Sequence, residues 1–570
     1  MLTPFETDLL ARVRSDAAWQ LVETYSHTRR ELPDEFERGA AILAERLDAL
    51  GLPVRQDRPS LYLGVPRSAT IQCNGKSYAT KATALSPQQA PLTAPLIHVP
   101  ARDGASRHHT NDPALIFGDG HTRETLRAKV AGKVVLTEGL SNPGRSELLE
   151  ALGALAIITI NPGKAVHWGA SSVVWGNPTL DDVDRLPGIV SMAVNREDGH
   201  ALVAEAVRGA TITVSADVLH GWFPQTVTTV DIPAGSGDTG EFVLLHGQHD
   251  SWDLGVGDNA TGNGVMMEVA RALHGMRDHL KRGIRIAWWP GHSAGRYAGS
   301  TWYADQYAFD LRAGCVAHLN CDSPGCKDAT DYQVLRGMAE TQPLIAGAVA
   351  DLFQQTCSLE RPSRGGDYSF NNLGLSGALV SSSMVPAAER QRRGWYSVGG
   401  NGGSPTWHTE DDRMEVADRS VLENDTRLYT LLAARLACEE TPMLDYRLPL
   451  TDIARSLDSV ALHAGAAVDL QPHRRLLQAL SSGVAQAYGE GSARPDAARW
   501  QGLKNASRSI VRMGYCERGI FEQDAAFATP LVPALRSATR SEEGGSAHVS
   551  LQRGANQMRH ELECALAALS

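Results

Sequence analysis

The chain has 570 residues, 42% hydrophobic and 21% charged, with a formal net charge of -11 at pH 7. This is too long for one hydrophobic core and predicts about two to four domains; the acidic balance weighs against nucleic-acid partners, and no apolar run is long enough to cross a bilayer. The opening MLTPFETDLLARVRSD has no apolar signal core, and the eight cysteines lack Cys-x-x-Cys spacing, Cys321 and Cys326 being the closest pair, so reduced thiols and a cytoplasmic location are expected.

Residues 32–50 carry helical apolar spacing and stop at Gly51. Residues 58–225 are rich in short β-like runs, with an Asn-Gly hairpin signal inside Ile71 to Ala79. KVVLTEG (Lys133 to Gly139) predicts a strand, SELLEALGA a helix, and LAIITI (Leu155 to Ile160) a second strand. From residue 226 to 440 strands and helices alternate: FVLL, a helix from Thr261, IRIAWW, a helix from Ser300, CVAHLNCD, and a helix from Val421. That alternation predicts an α/β domain with a mostly parallel sheet wrapped by helices. Beyond about residue 446, Ala- and Leu-rich helical periodicity takes over (ALHAGAAVDL, RRLLQALSSGVAQAY, ANQMRHELECALAAL), and SEEGGSA (Ser541 to Ala547) reads as a flexible loop.

The most informative stretch is HGQHDSWDLGVGDNATGNG, His246 to Gly264, a polar turn between a strand and a helix. Open α/β sheets place their chemistry at the carboxyl ends of strands. Two histidines and three aspartates in one turn read as a metal site; the plain alternative is a solvated Asp-rich loop. Three further strand ends offer similar residues: His292 after IRIAWW, Asp322 after CVAHLNC, and His408 after the glycine-rich run SVGGNGGS. Trp252, Trp395, Tyr396 and Trp407 flank these loops and could line a pocket or only pack, and Gly399 to Gly403 reads as either a lid or a linker.

In order and spacing, DSWDLGVGD, AGSTWYAD, NCDSPG and WHTEDD resemble the zinc aminopeptidase and glutamate carboxypeptidase superfamily, which includes the transferrin receptor. The resemblance implies four parts: 1–57 and 226–445 as the metallopeptidase-like domain, 58–225 as an inserted β-rich domain of the protease-associated type, and 446–570 as helices of the dimerisation type. It also implies a homodimer. Asp258 falls on the bridging carboxylate, Asp322 on the late aspartate and His408 on the last histidine. Two family positions depart. The first histidine ligand becomes Gln248, with His249 one residue out of register, and a one-residue shift in a strand turns a side chain to the other face. The Glu-Glu pair is replaced by PGHSAG, with Gly291 and His292 near its positions.

These departures spare one metal set, Asp258, His292 and His408, and weaken the other. A single divalent ion, zinc first, is therefore expected, with Asp322 also counted among the metal-site residues. The family's general base is missing. Candidates for catalytic roles are His249, Asp250, Glu410 and the adjacent Asp411, each with the alternative of orienting a ligand. Arg296 and Tyr297 could bind a substrate carboxylate or an oxyanion, or serve as a helix-start salt bridge and a core tyrosine. Three functions remain in view: a hydrolase of an amide or peptide-like bond in a small substrate, a lyase or non-peptide amidase using the same ion, and a non-catalytic binding protein. No nucleic-acid or membrane partner is expected.

Overall fold

The computed structural model describes residues 1–102, 109–464, 467–543 and 545–570. A six-stranded sheet lies at its centre, in the order Val54–Asp57, Val227–Ile232, Gly283–Trp289, Phe242–Gln248, Cys315–Asn320, Gly377–Ala378. The last four run parallel and the first two pairings are antiparallel, so the sheet is mixed and its parallel half holds the candidate ligands. FVLLHGQ is buried along its whole length. This is the pattern of a strand covered on both faces, which is why its apolar run does not alternate. The chain runs from this strand to a neighbour on one side, then crosses to the neighbour on the other. That reversal opens a crevice at the carboxyl ends, beyond Gln248, Trp289 and Asn320.

The helices expected from the sequence are present as Pro33–Ala49, Thr261–His274, Ala298–Gln306 and Arg419–Ala437. The first starts on Pro33 and ends before Gly51, whose φ of 69° suits the turn out of a helix. Helix Thr261–His274 packs into the main core with Val265, Met266 and Val269.

A second, eight-stranded sheet is formed within residues 60–224. The long antiparallel pair Ser60–Cys73 and Thr211–Pro224 leads the chain in and out, and Val134–Glu138, Ala156–Ile160 and Val190–Val194 run parallel at its heart. The Asn74-Gly75 hairpin forms as expected. Helices Arg123–Val130, Pro143–Ala151 and Arg196–Val207 belong to the same region, so it is α/β rather than purely β-rich. Towards the C-terminus, helices Arg447–Ala464, Gln471–Ala485, Ala497–Tyr515 and Gly545–Leu569 pack together. The expected loop over Ser541 to Ala547 is instead the end of a 3-10 helix, Pro533–Glu543, and the start of the last helix; Gly544 lies outside the described residues. Helix Ala497–Tyr515 is bonded to the central sheet through buried charge: Glu241 accepts from Arg282 Nε (2.6 Å), Lys504 Nζ (2.7 Å) and Trp500 Nε1 (2.9 Å). All eight cysteines are free thiols. No helix among the described residues is long and apolar enough to cross a membrane.

Candidate metal and substrate site

Three strand ends converge on one cavity of about 530 Å³, lined by Asp258, His292 and Asp322, and His408 joins them from an irregular turn rather than from the strand end expected of it. Arg296 and Tyr297 line it too. Asp258 sits in the turn Val256–Ala260, where the Asp258–Asn259 peptide is cis. Its backbone is held from behind by Asp412, which accepts from the N–H groups of Gly257 (2.7 Å) and Asp258 (3.0 Å). One Asp258 oxygen accepts from the Gln248 amide nitrogen, and the other lies 3.2 Å from His408 Nε2. Burial alone would raise the Asp258 pKa, but the His408 hydrogen bond and charge, with the charge of His292, hold it below the ordinary carboxylate value. Asp322 goes the other way: burial and the neighbouring Asp258 charge push it to about 7.

His408 is fixed by the inserted region. Its Nδ1 is 3.0 Å from the Trp168 carbonyl, and its own carbonyl accepts from Trp168 N at 2.9 Å. The Trp168 indole stacks on Trp252, centroids 5.7 Å apart. His292 is fixed differently. Its Nδ1 lies 2.7 Å from Asp367, whose other oxygen accepts from Ser300 at 2.8 Å. That leaves Nε2 as the free edge of the ring. Burial works against a charge on His292, yet buried Asp367 raises its pKa well above the ordinary histidine value.

A spacing of 3.2 Å between Asp258 and His408 is what two ligands at ~2.0–2.1 Å from one tetrahedral ion adopt. His292, with Nδ1 on a carboxylate, has the usual orientation of a metal-binding imidazole. At the other family position a neutral amide, Gln248, donates to Asp258, and its own oxygen is buried without a partner. Among the described residues no three His, Cys, Asp or Glu side chains already stand at common ligand distance, so full coordination requires side-chain adjustment around Asp258 and His408.

Three sequence-based candidates for catalysis lie elsewhere. His249 faces away from the cavity: its Nε2 is 2.7 Å from the Tyr25 hydroxyl and its ring packs edge-on to Phe36. Burial and the Arg30 charge keep its pKa well below normal. The strand's alternation is the cause, and it argues against His249 as either ligand or base. Asp250 is spent on structure, accepting from the backbone of His292 (3.1 Å) and Ser293 (3.4 Å), with burial raising it to about 6. Glu410 is exposed and paired with Lys81 at 2.6 Å. In the run TEDD it is Asp412, neither Glu410 nor Asp411, that turns inward. Trp252 and Trp407 line the cavity, whereas Tyr396 bonds His167 (2.6 Å) and Trp395 packs on a separate cluster with Cys326. The glycines of Gly399 to Gly403 are packed: a Cβ on Gly399 or Gly400 would meet the Trp407 ring, which argues for a fitted turn rather than a lid.

Asp367, Arg364, Asp412 and Trp175 were missed by sequence reasoning. The first two lie in RPSRGGDYSF, between Ser358–Glu360 and Gly377–Ala378, where regular structure is absent. The paired glycines ahead of Asp367 were the one available signal.

The α/β sheet places ligand-type side chains beyond its switch point, and Trp168 with Leu140 to Pro143, from the region of the second sheet, lines the cavity beside them. Residues 229–432 match Peptidase family M28, a match that fits the zinc exopeptidase superfamily. Leucine aminopeptidase 2 of Arthroderma otae is 25% identical over 407 residues, 67% of this chain and 74% of that protein. Leucine aminopeptidase 2 of Trichophyton rubrum is 28% identical over 243 residues, 42% of each chain, so that match spans under half of the relative's length. Among solved structures, the aminopeptidase of Aneurinibacillus sp. strain AM-1 has a TM-score of 0.56 at 18% identity, over 76% of this chain and 96% of that one. The zinc aminopeptidase of Bacillus subtilis has a TM-score of 0.55 at 19% identity, over 75% and 96%. At these identities the structural likeness establishes the fold.

Proposed function

We propose that this chain hydrolyses an amide or peptide bond in a small substrate with a single divalent ion, zinc first, held by Asp258, His408 and His292 with Asp322 beside them. The reading rests on one observation above others: Asp258 and His408 keep ligand spacing while Gln248 fills the place of a histidine ligand. When bound, the ion supplies Lewis-acid polarisation of a carbonyl oxygen. The chain's own residues do the rest. Asp367 holds the proton at His292 Nδ1 and so presents Nε2. Asp412 fixes the turn that carries Asp258. Trp168 and Trp252 cover the site and limit water access. Asp322, at about 7 with burial as its main cause, is the cavity-lining carboxylate best poised to hold a proton for the reaction.

Elemental analysis of the purified protein tests this. The expected content is one ion per chain, lost in His408→Ala and Asp258→Ala, with hydrolysis of aminoacyl or acyl-amino-acid amides falling in parallel. Two tightly held ions per chain, or amide hydrolysis untouched by the loss of His408, overturn it. A cytoplasmic location and a homodimer through the C-terminal helices are part of the proposal, and light scattering on the eluting protein checks the second.

A further inference from the structure

The cavity has a second pole that the metal chemistry does not use. Arg296 and Arg364 both line it and are 93–96% buried, at 7% and 4% relative exposure. Arg296 gives only Nη1 to a partner, the Tyr297 hydroxyl at 3.2 Å; its Nε and Nη2 have none. Arg364 gives Nε and Nη2 to the Asp524 carbonyl (3.1 and 2.8 Å) and Nη2 also to Gln523 (3.2 Å), while Nη1 has none. A buried donor without a partner is costly, and more so on a charged group.

Among the described residues no side-chain carboxylate bonds to either guanidinium. The nearest acid to Arg364, Asp524, has its carboxylate committed to the backbone N–H groups of Glu517 and Arg518. The two arginines act on each other as like charges. Both lie over the Trp175 ring, Arg364 at 4.0 Å and Arg296 at 5.8 Å, and Tyr297 stacks on the same indole at 4.1 Å. This aromatic platform holds two buried like charges side by side, and a bound anion would neutralise them and fill their unpartnered N–H groups. Arg361 and Arg336, at the same rim, differ: Arg361 bonds the Gly514 carbonyl and Arg336 faces Glu360.

We infer that Arg296 and Arg364 form a carboxylate-binding subsite, so the substrates are short acyl-amino acids or peptides whose free carboxylate docks there while the scissile carbonyl lies at Asp258 and His408. This rests on the proposed function for the reacting end only. The span suits such a ligand. The His292 ring is 4.7 Å from the Tyr297 ring, and Arg296 Cζ is 4.9 Å from that same ring. Arg296 therefore lies within two or three extended residues, at ~3.3–3.6 Å each, of His292 at the metal end of the cavity. A longer peptide would have to carry its chain past the tryptophan cover.

Calorimetric titration of the protein, treated with chelator, separates this from the metal chemistry. The probes are N-acetyl-leucine, its neutral amide N-acetyl-leucinamide, and inorganic phosphate. N-acetyl-leucine is expected to bind ~10–100-fold more tightly than the amide, the range for a charge-assisted pair. Arg296→Gln and Arg364→Gln are each expected to reduce that ratio to threefold or less, and Arg364→Lys to restore it only in part, because lysine lacks the planar fork. Circular dichroism and melting identify any variant that fails to fold, and the two arginines give independent tests. Equal binding of acid and amide, or an unchanged ratio in both folded Gln variants, overturns the subsite. Phosphate binding tighter than N-acetyl-leucine also overturns it, in favour of a phosphate-bearing ligand. Carboxylate-selective binding without hydrolysis of any amide at any metal loading would leave the subsite standing and refute the proposed reaction alone.

Discussion

Replacing Glu241 by glutamine should loosen the C-terminal helices from the sheet that carries the site. Glu241 is buried at the start of the strand leading to Gln248, and it neutralises two buried cations, Arg282 and Lys504, at 2.6 and 2.7 Å. Burial opposes its charge, and those two partners overcome the penalty and hold its pKa below normal. Two costs can be compared. Losing the neutral part of the Trp500 hydrogen bond is worth about 1 kcal/mol, whereas stranding a buried cation costs ~3–5 kcal/mol. The charge therefore dominates, and Glu241→Gln, which keeps an acceptor for Trp500, should still lose ~3 kcal/mol. Hydrogen exchange read by mass spectrometry over residues 497–515 is the suitable assay, because it reports local opening in a chain too large for a single two-state transition. Exchange there should accelerate ~100-fold, since each 1.4 kcal/mol is tenfold. Adding Lys504→Met should recover a large part of the loss by removing one stranded charge. A change under fivefold in Glu241→Gln, or no recovery in the double variant, would refute the argument that charge neutralisation rather than packing fixes this helix.

Three further outcomes are expected. Gln248→His should raise metal content from one ion per chain towards two, because it restores an imidazole beside Asp258; elemental analysis decides, and a value still at one would mean that more than this residue keeps the second ion out. Asp367→Asn should weaken metal binding ~10–100-fold through loss of the carboxylate that orients His292, measured by competition with a chelating dye, with the melting temperature as control for folding. His167 should make the protein acid-sensitive. Burial, then the His408 charge, lower its pKa to about 4, and its Nε2 accepts from Tyr396 while Nδ1 faces the Trp407 carbonyl. Between about pH 6.5 and 4 the unfolded chain binds one more proton than the folded one, so stability falls as pH falls, by at most ~3 kcal/mol; urea midpoints at pH 7 and 5 should differ less in His167→Gln.

The strands were legible because a parallel strand covered on both faces is mostly apolar: FVLL is uninterrupted, IRIAWW is broken only by Arg285, and CVAHLN by His318 and Asn320. Their carboxyl ends then located Asp258, His292 and Asp322 without knowledge of tertiary contacts, whereas His408 follows none of these strands and was marked only by the glycine-rich run ahead of it. The register argument that set His249 aside as a ligand also applied to it as a base, since its ring meets Tyr25 on the far side. Adjacent acids were harder. In TEDD the inward residue depends on the phase of an irregular turn, and only the backbone shows that Asp412 reaches Gly257 N. Arg364 and Asp367 sit where no periodicity exists. Their roles come from contacts across the fold, with Asp524 from near the C-terminus and His292 from another strand end. Two of the five pairings in the six-stranded sheet are antiparallel because Val54–Asp57 and Val227–Ile232 flank the insertion and enter from opposite directions, which alternation of strands and helices does not encode.

The reciprocal bonding of His408 with Trp168 has a consequence for how the protein matures. His408 holds a left-handed backbone, φ 58°, a conformation that costs a non-glycine residue on the order of 1–2 kcal/mol. The partner that holds it there comes from a separately built sheet. A nascent chain whose insert has not yet docked has no firm address for this imidazole. The same bonding also ties the two modules as they diverge: an insert exchanged for another of similar outline would have to offer a backbone at the place of Trp168, or the site beneath it would lose its last histidine.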